Sequence, residues 1–160
     1  TALTPNAVFH LVGTGELEDS LQRLAAEIGV LDRITFHGKL PAAQLAEQYA
    51  RCDCLCLPSI ERTEAFGLVL LEAMYFSKAT VIGDVPGSGM GWIVEDGITG
   101  LKVPVANAEA LAGACRQLLA DRDNLARLGN NGRCKFDRQF HICQSSDAIA
   151  DIYTELLRAN

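Results

Sequence analysis

The order in which short apolar runs alternate with helical patterns constrains this chain more than any other feature. Three runs, Ala7 to Val12, Ile34 to Phe36 and Cys54 to Leu57, read as strands, and each is followed by a turn and then a helix. The first helix carries Leu17, Leu21, Leu24, Ala25 and Ile28 at helical spacing and closes at Gly29. The second covers Ala42 to Ala50 with Pro41 as its first helical residue, and the third begins at or just after Gly67. Strands that alternate with helices pair in parallel through right-handed crossovers, so a parallel sheet with helices on both faces is expected. Ligands of such sheets bind beyond the carboxyl ends of the strands. Gly13-Thr14-Gly15, His37-Gly38-Lys39-Leu40 and Ser59 to Gly67 all fall there, and they are predicted to converge on one cleft.

Past Met74 the alternation loosens. Ala79 to Ile82 and Gly100 to Val103 read as strands, with a glycine-rich loop over Pro86 to Gly91 and a short helix or turn over Trp92 to Val94 between them. Gly87, Gly89 and Gly91 either line a ligand cleft or only let the chain bend, since glycine serves both needs. Asn107 and Asp121 are placed as caps of two helices, the first bearing an apolar stripe of Leu111, Cys115, Leu118 and Leu119. A last helix, from about Ile142 to Leu157, presents Ile149, Ile152, Tyr153 and Leu156 on one side.

Composition narrows the function classes. The 160 residues, 49% hydrophobic and 21% charged, suit a single soluble domain with a buried core. A net charge of -6 and a pI of about 5.0 supply no basic stripe for nucleic acid or for an anionic membrane. No apolar run reaches the roughly 18 residues of a membrane span, and the first residues resemble no export signal, so a cytoplasmic location is expected. Of the six cysteines, Cys52, Cys54 and Cys56 alternate along an apolar strand with no C-x-x-C pair, so they read as small buried side chains. No metal site is expected.

The stretch Pro58 to Ala73 carries the chemistry. A strand ends, a polar loop follows, and the first amides of the next helix have no acceptor within the helix, which makes them an anion site. Gly67 lets a ligand approach the backbone, and Glu64 and Glu72 bracket the turn. Glu72 stands five residues past Gly67, about 7.5 Å along the axis, and helical side chains lean toward the N-terminus, so it can reach back beside a bound anion. One carboxylate can then accept from ribose hydroxyls and the other from those of a sugar, with a diphosphate between them. The bland reading makes Glu64 a capping carboxylate and Glu72 an ordinary exposed helix residue.

Glu64-Ala-Phe-Gly-Leu-Val-Leu-Leu-Glu72, followed by Ala73-Met74, resembles the E-x7-E signature of the retaining GT-B glycosyltransferases, the group 1 or sucrose-synthase-like family. The resemblance continues in order and spacing through Val12-Gly13-Thr14-Gly15, Phe36-His37-Gly38, Cys52-Asp53, Leu57-Pro58-Ser59, Asp84-Val85-Pro86-Gly87 and Asp96-Gly97-Ile98-Thr99-Gly100-Leu101. It covers nearly the whole chain. Glu61 to Phe66 and Pro86-Gly87-Ser88-Gly89 are similar to bacterial members that build cell-surface polysaccharides.

The resemblance implies an α/β, Rossmann-like parallel sheet flanked by helices, one half of a GT-B fold. Residues 1–160 would then be a single nucleotide-sugar-binding domain, without the N-terminal acceptor domain of the same protein. Glu64 would contact the donor sugar on its reacting face and Phe66, Gly67 and Leu68 would offer amides to the distal phosphate. Glu72 would bind the ribose, Lys39 and Leu40 would flank the nucleobase, and Gly13 and Gly15 would lie against the donor. The donor is a nucleoside-diphosphate sugar, consumed as substrate, and no cofactor or metal is implied. Transfer with retention to a glycan or lipid-linked acceptor follows, and Lys39 and Leu40 also have ordinary loop and helix-staple readings. The family's diphosphate-clasping arginine and lysine would precede Thr1. Ser77-Lys78-Ala79-Thr80 and Gly91-Trp92 depart from the family's Gly-x-Pro and Pro-Glu, which bears on sugar choice. Two rivals are a non-catalytic nucleotide-binding module and a dinucleotide-binding domain. The second is disfavoured because Gly13-Thr14-Gly15-Glu16-Leu17-Glu18 lacks the third glycine of G-x-G-x-x-G.

Overall fold

The computed structural model describes residues 7–158, which cluster into two compact units divided between Ala50 and Arg51. In the first, β1 (Phe9–Leu11) leads to α1 (Glu18–Glu27), and a single 3-10 turn (Leu31–Arg33) leads to β2 (Ile34–Phe36) and α2 (Ala42–Arg51). β1 and β2 are parallel, with Phe9 opposite Ile34 and Leu11 opposite Phe36. α1 closes at Gly29 as its sequence requires, the Gly29 amide donating to Ala26 O at 3.1 Å. Its apolar stripe does not find a core. Leu17, Leu21, Leu24 and Ile28 are exposed and only Ala25 is buried, because a ladder of two three-residue strands offers too little surface to cover a helix face.

The second unit holds β3 (Cys54–Leu57), α3 (Leu68–Tyr75), β4 (Ala79–Gly83), α4 (Met90–Ile93), β5 (Gly100–Val103), α5 (Ala108–Ala120), α6 (Arg122–Gln139) and α7 (Ile142–Arg158). Its sheet is parallel in the order β3-β4-β5, and the central strand β4 is buried along its whole length. The alternation of Cys54-Leu55-Cys56-Leu57 explains why that run reads as continuous core. Cys54 and Cys56 pack on the cluster of Val81, Leu118, Leu125 and Leu128 supplied by β4, α5 and α6. Leu55 and Leu57 pack on the opposite cluster of Leu70, Met74, Ile82, Met90 and Ile93. A strand buried on both faces has no polar side to show. β3 itself is only half-buried, since β4 is its one hydrogen-bonded neighbour among the described residues.

The parallel, helix-flanked architecture is the one the sequence predicts. Its pairing differs from the expected single sheet, forming two ladders, β1-β2 and β3-β4-β5. Both expected caps are present. Asn107 Oδ1 accepts from the Ala110 amide at 2.9 Å and Asp121 Oδ1 from the Asn124 amide at 2.9 Å. α7 buries none of its residues, and Ile149, Ile152, Tyr153 and Leu156, which the sequence places on one side, form an exposed strip. None of the six cysteines is in a disulfide, Cys56 Sγ lies 3.5 Å from Cys115 Sγ, and the described residues hold no cluster of three metal-binding side chains. No helix among them is long and apolar enough to cross a membrane.

Lys135 is a buried cation that periodicity alone does not distinguish from a surface lysine. From α6 its Nζ donates to Trp92 O at 2.7 Å and to Glu95 Oε1 at 2.6 Å, and the Lys135 ammonium holds the Glu95 carboxyl below the usual carboxylate range. Lys102 Nζ donates to Gly91 O at 2.9 Å. Two lysines therefore fix the backbone that follows the glycine-rich turn.

Candidate functional site

The loop after β3 ends at Gly67, whose φ of +83° is left-handed and so favours glycine, and α3 starts at Leu68. Glu64, half-buried, turns its carboxylate onto this start, and Oε1 accepts from the Gly67 amide at 3.1 Å. Glu64 is thus seated as the capping carboxylate that its residue type allows, favoured by the partial positive charge of a helix N-terminus. Phe66 and Leu68 are exposed on either side of buried Gly67, and among the described residues neither of their amides has an acceptor. Glu72 is exposed, further along α3. A shallow cavity of about 400 Å³ opens beside the loop, lined by Ser59, Ile60, Glu61, Thr63 and Glu64. A more apolar one of about 250 Å³ lies beyond β4 and β5, at Gly83, Val103, Pro104 and Leu111.

One expectation is reversed by the geometry. The sequence suggests that Gly67 is kept small for a ligand, so that Gly67→Val would damage binding more than folding. A Cβ at position 67 points instead into the core, 2.8 Å from Leu70 Cδ1 and 3.2 Å from Met90 Cγ. Left-handed strain of about 1–2 kcal/mol and overpacking of about 1–3 kcal/mol then act together. Gly67→Val is expected to lower the thermal melting temperature by several degrees; a variant that melts like the parent would show that the core yields freely there.

The glycine-rich turn packs directly on this loop. The Gly89 amide donates to Ala65 O at 2.8 Å, and a Cβ at position 89 would stand 2.9 Å from that same oxygen and 3.2 Å from Phe66 Cδ2. The Arg62 guanidinium lies against Gly87, where a Cβ would meet Nε at 3.2 Å. Beyond the turn, the exposed Trp92 ring is 6.3 Å from Phe66 and 5.0 Å from Phe140. Of the two roles open to these glycines, Gly89 at least serves close backbone approach.

In the first unit, Gly13 has a φ of +127° and its amide donates to Gly38 O at 2.8 Å, which brings the turn after β1 against the turn after β2. Gly15 follows in the same turn, and Lys39 and Leu40 come directly after Gly38. His10 Nδ1 and His37 Nε2 are 2.8 Å apart with their rings stacked. Each group of residues singled out by sequence therefore sits at the carboxyl end of its own ladder. Within the second unit Glu64, Phe66, Gly67 and Leu68 meet at one helix start. Sequence reasoning missed Ser88, whose hydroxyl bonds the Glu64 main-chain oxygen, and Lys102 and Lys135, which hold the backbone after the glycine-rich turn. Pro86-Gly87-Ser88-Gly89 marked the region, but no local pattern names the partner of a hydroxyl.

Parallel strands, flanking helices and a loop-to-helix turn at a strand's carboxyl end define a Rossmann-like α/β fold. Residues 1–135 match the family described as glycosyl transferases group 1, and the chain belongs to that family. It is 31% identical over 149 residues to the O-antigen chain mannosyltransferase C of Escherichia coli, across 93% of this chain and 40% of that protein. It is 32% identical over 134 residues to the GDP-mannose-dependent alpha-(1-6)-phosphatidylinositol monomannoside mannosyltransferase of Mycolicibacterium smegmatis, across 81% of this chain and 35% of that one. Among solved structures, sucrose-phosphate synthase from Thermosynechococcus elongatus superposes with a TM-score of 0.84 at 30% identity, over 98% of this chain and 40% of that chain. The chain thus spans less than half the length of the relatives it matches.

Proposed function

We propose that this chain is the donor-binding domain of a retaining glycosyltransferase that moves a sugar from a nucleoside diphosphate to a glycan or lipid-linked acceptor in bacterial cell-surface polysaccharide synthesis. Membership of the group 1 family carries the reading. Relatives named for O-antigen mannosyl transfer and for dependence on GDP-mannose support the substrate class. In this reading the Phe66, Gly67 and Leu68 amides take the distal phosphate, Glu64 faces the sugar, Glu72 binds the ribose, and Lys39 and Leu40 meet the nucleobase. Gly13 and Gly15 border the donor.

The reaction breaks the bond between the anomeric carbon and a diphosphate oxygen, and the acceptor hydroxyl oxygen forms the new bond on the same face while its proton passes to the departing diphosphate. Positive charge builds on the sugar while negative charge builds on the departing diphosphate. Amides aimed at that phosphate stabilise the leaving group, and the nearby carboxylate of Glu64 suits the developing oxocarbenium charge. For the Gly67 amide to join them, Glu64 must first release it, so donor binding and movement of the Glu64 side chain are coupled. The acceptor is held by a second, N-terminal domain of the same protein, and the reaction runs in the cytoplasm.

The test is a transfer assay on the longest natural chain that carries these 160 residues, run with a panel of nucleoside-diphosphate sugars. Release of nucleoside diphosphate that depends on acceptor, with the α-linked donor giving an α-linked product, supports the reading. A chain that binds the donors and transfers from none would favour the non-catalytic module.

A further inference from the structure

The loop that carries Glu64 is held from outside by one hydroxyl. Ser88 Oγ donates to the main-chain oxygen of Glu64 at 2.7 Å and accepts from the Met90 amide at 3.3 Å. The Ser88 amide donates to Val85 O at 3.2 Å, and the neighbouring Gly89 amide donates to Ala65 O at 2.8 Å. A serine hydroxyl has one proton. Here it is committed to Glu64, while the Met90 amide holds a lone pair, so the hydroxyl cannot rotate without losing a bond. Met90 is fully buried, and Lys102 ties down Gly91 immediately after it, so the far end of this arrangement is fixed. At the near end the Glu64 carboxylate accepts from the Gly67 amide. The polar links thus run from the start of α4, through Ser88 and Glu64, to the start of α3.

We propose that Ser88 is a positioning residue for Glu64: it fixes the Glu64 main chain beside the start of α3, so that the carboxylate caps the Gly67 amide in the free protein and turns from the same anchored backbone to the sugar when the donor binds. This rests on the reading that Glu64 contacts the donor sugar. The held carbonyl fixes the main-chain position from which the Glu64 side-chain rotors start, and so narrows the region the carboxylate can reach. Ser88 acts through Glu64 and need not touch the donor itself.

Two experiments decide this. In the full-length protein, Ser88→Ala is expected to lower kcat about 10-fold with the donor KM within about twofold, and Ser88→Thr, which keeps the hydroxyl, is expected to recover most of it. Combined with Glu64→Ala, the Ser88→Ala change should add nothing to the defect of Glu64→Ala alone, because a residue that acts only through another has no effect once that other is gone. Additive losses, or wild-type kinetics for Ser88→Ala beside a defective Glu64→Ala, overturn the proposal while leaving the Glu64 reading intact. Wild-type kinetics for Glu64→Ala itself overturn the reading on which the proposal stands. Independently of activity, hydrogen exchange on the 160-residue chain follows the Gly67 amide, which should exchange about 10-fold faster in Ser88→Ala. An unchanged rate there shows that Ser88 does not position the carboxylate.

Discussion

Under the proposed function, Glu64→Gln in the longest natural chain that carries these residues is expected to lower turnover on the order of 100-fold, about 2.7 kcal/mol of transition-state stabilisation. Glutamine keeps an acceptor oxygen for the Gly67 amide, so the start of α3 stays capped and the fold survives. What it removes is the negative charge that the proposed reading sets opposite the sugar. That charge matters little to a neutral donor ring and much to one with oxocarbenium character, so the loss falls on kcat more than on KM. Glu72→Ala should behave in the opposite way. A carboxylate that accepts from ribose hydroxyls binds substrate and transition state alike, so its removal is expected to raise the donor KM about 10-fold with kcat nearly unchanged. Steady-state kinetics of the two variants side by side check both. The same loss pattern in both variants would contradict the division of roles, and wild-type kinetics in both would remove the site assignment altogether.

Gly129→Ala is expected to destabilise the second unit by about 2–3 kcal/mol, although alanine is the better helix former by about 1 kcal/mol. Gly129 lies buried in α6 where that helix crosses the turn into β4, and a Cβ there would sit 2.8 Å from the Ser77 carbonyl carbon and 3.2 Å from the Ala79 amide nitrogen, with the Ser77 oxygen closer still. These are backbone atoms. Ala79 begins the fully buried strand β4, and Ser77 already holds a left-handed φ of +54°, so the turn has little room to retreat. Gly113 on α5 is the control, because a Cβ there has nothing nearer than the Arg116 guanidinium at 4.0 Å. Gly113→Ala should therefore be neutral or stabilising by up to about 1 kcal/mol. Urea melts of the two variants measure the contrast, and equal effects would show that close packing at Gly129 is not what the glycine serves.

Local physics made the elements legible. Gly29, Asn107 and Asp121 act within a few residues of themselves, so helix ends could be read from them. The alternating Cys54 to Leu57 run declared a strand with two apolar faces, and both faces were found packed. The resemblance of the Glu64 to Glu72 stretch to group 1 transferases pointed to the family, which the match over residues 1–135 bears out. What stayed hidden depends on partners remote in the chain. Lys135 looks like a solvated lysine until Trp92 and Glu95 are seen around it, 43 and 40 residues away. The stripe of α1 promised a core face, but only packing decides whether a stripe is covered. Gly67 suited a ligand as well as it suited Leu70 and Met90, and only the direction of its absent Cβ separates the two.

The central claim is that the helix start after Gly67 holds the phosphates of a nucleotide sugar, and amide NMR tests it most directly. The longest natural chain containing these residues would be labelled with 15N at phenylalanine, glycine and leucine and titrated with GDP-mannose, UDP-glucose and the free nucleoside diphosphates. The account predicts saturable shifts of the Phe66, Gly67 and Leu68 amides, with the Gly67 signal reporting its exchange of Glu64 for phosphate. Binding that saturates while these three amides stay in place would contradict it.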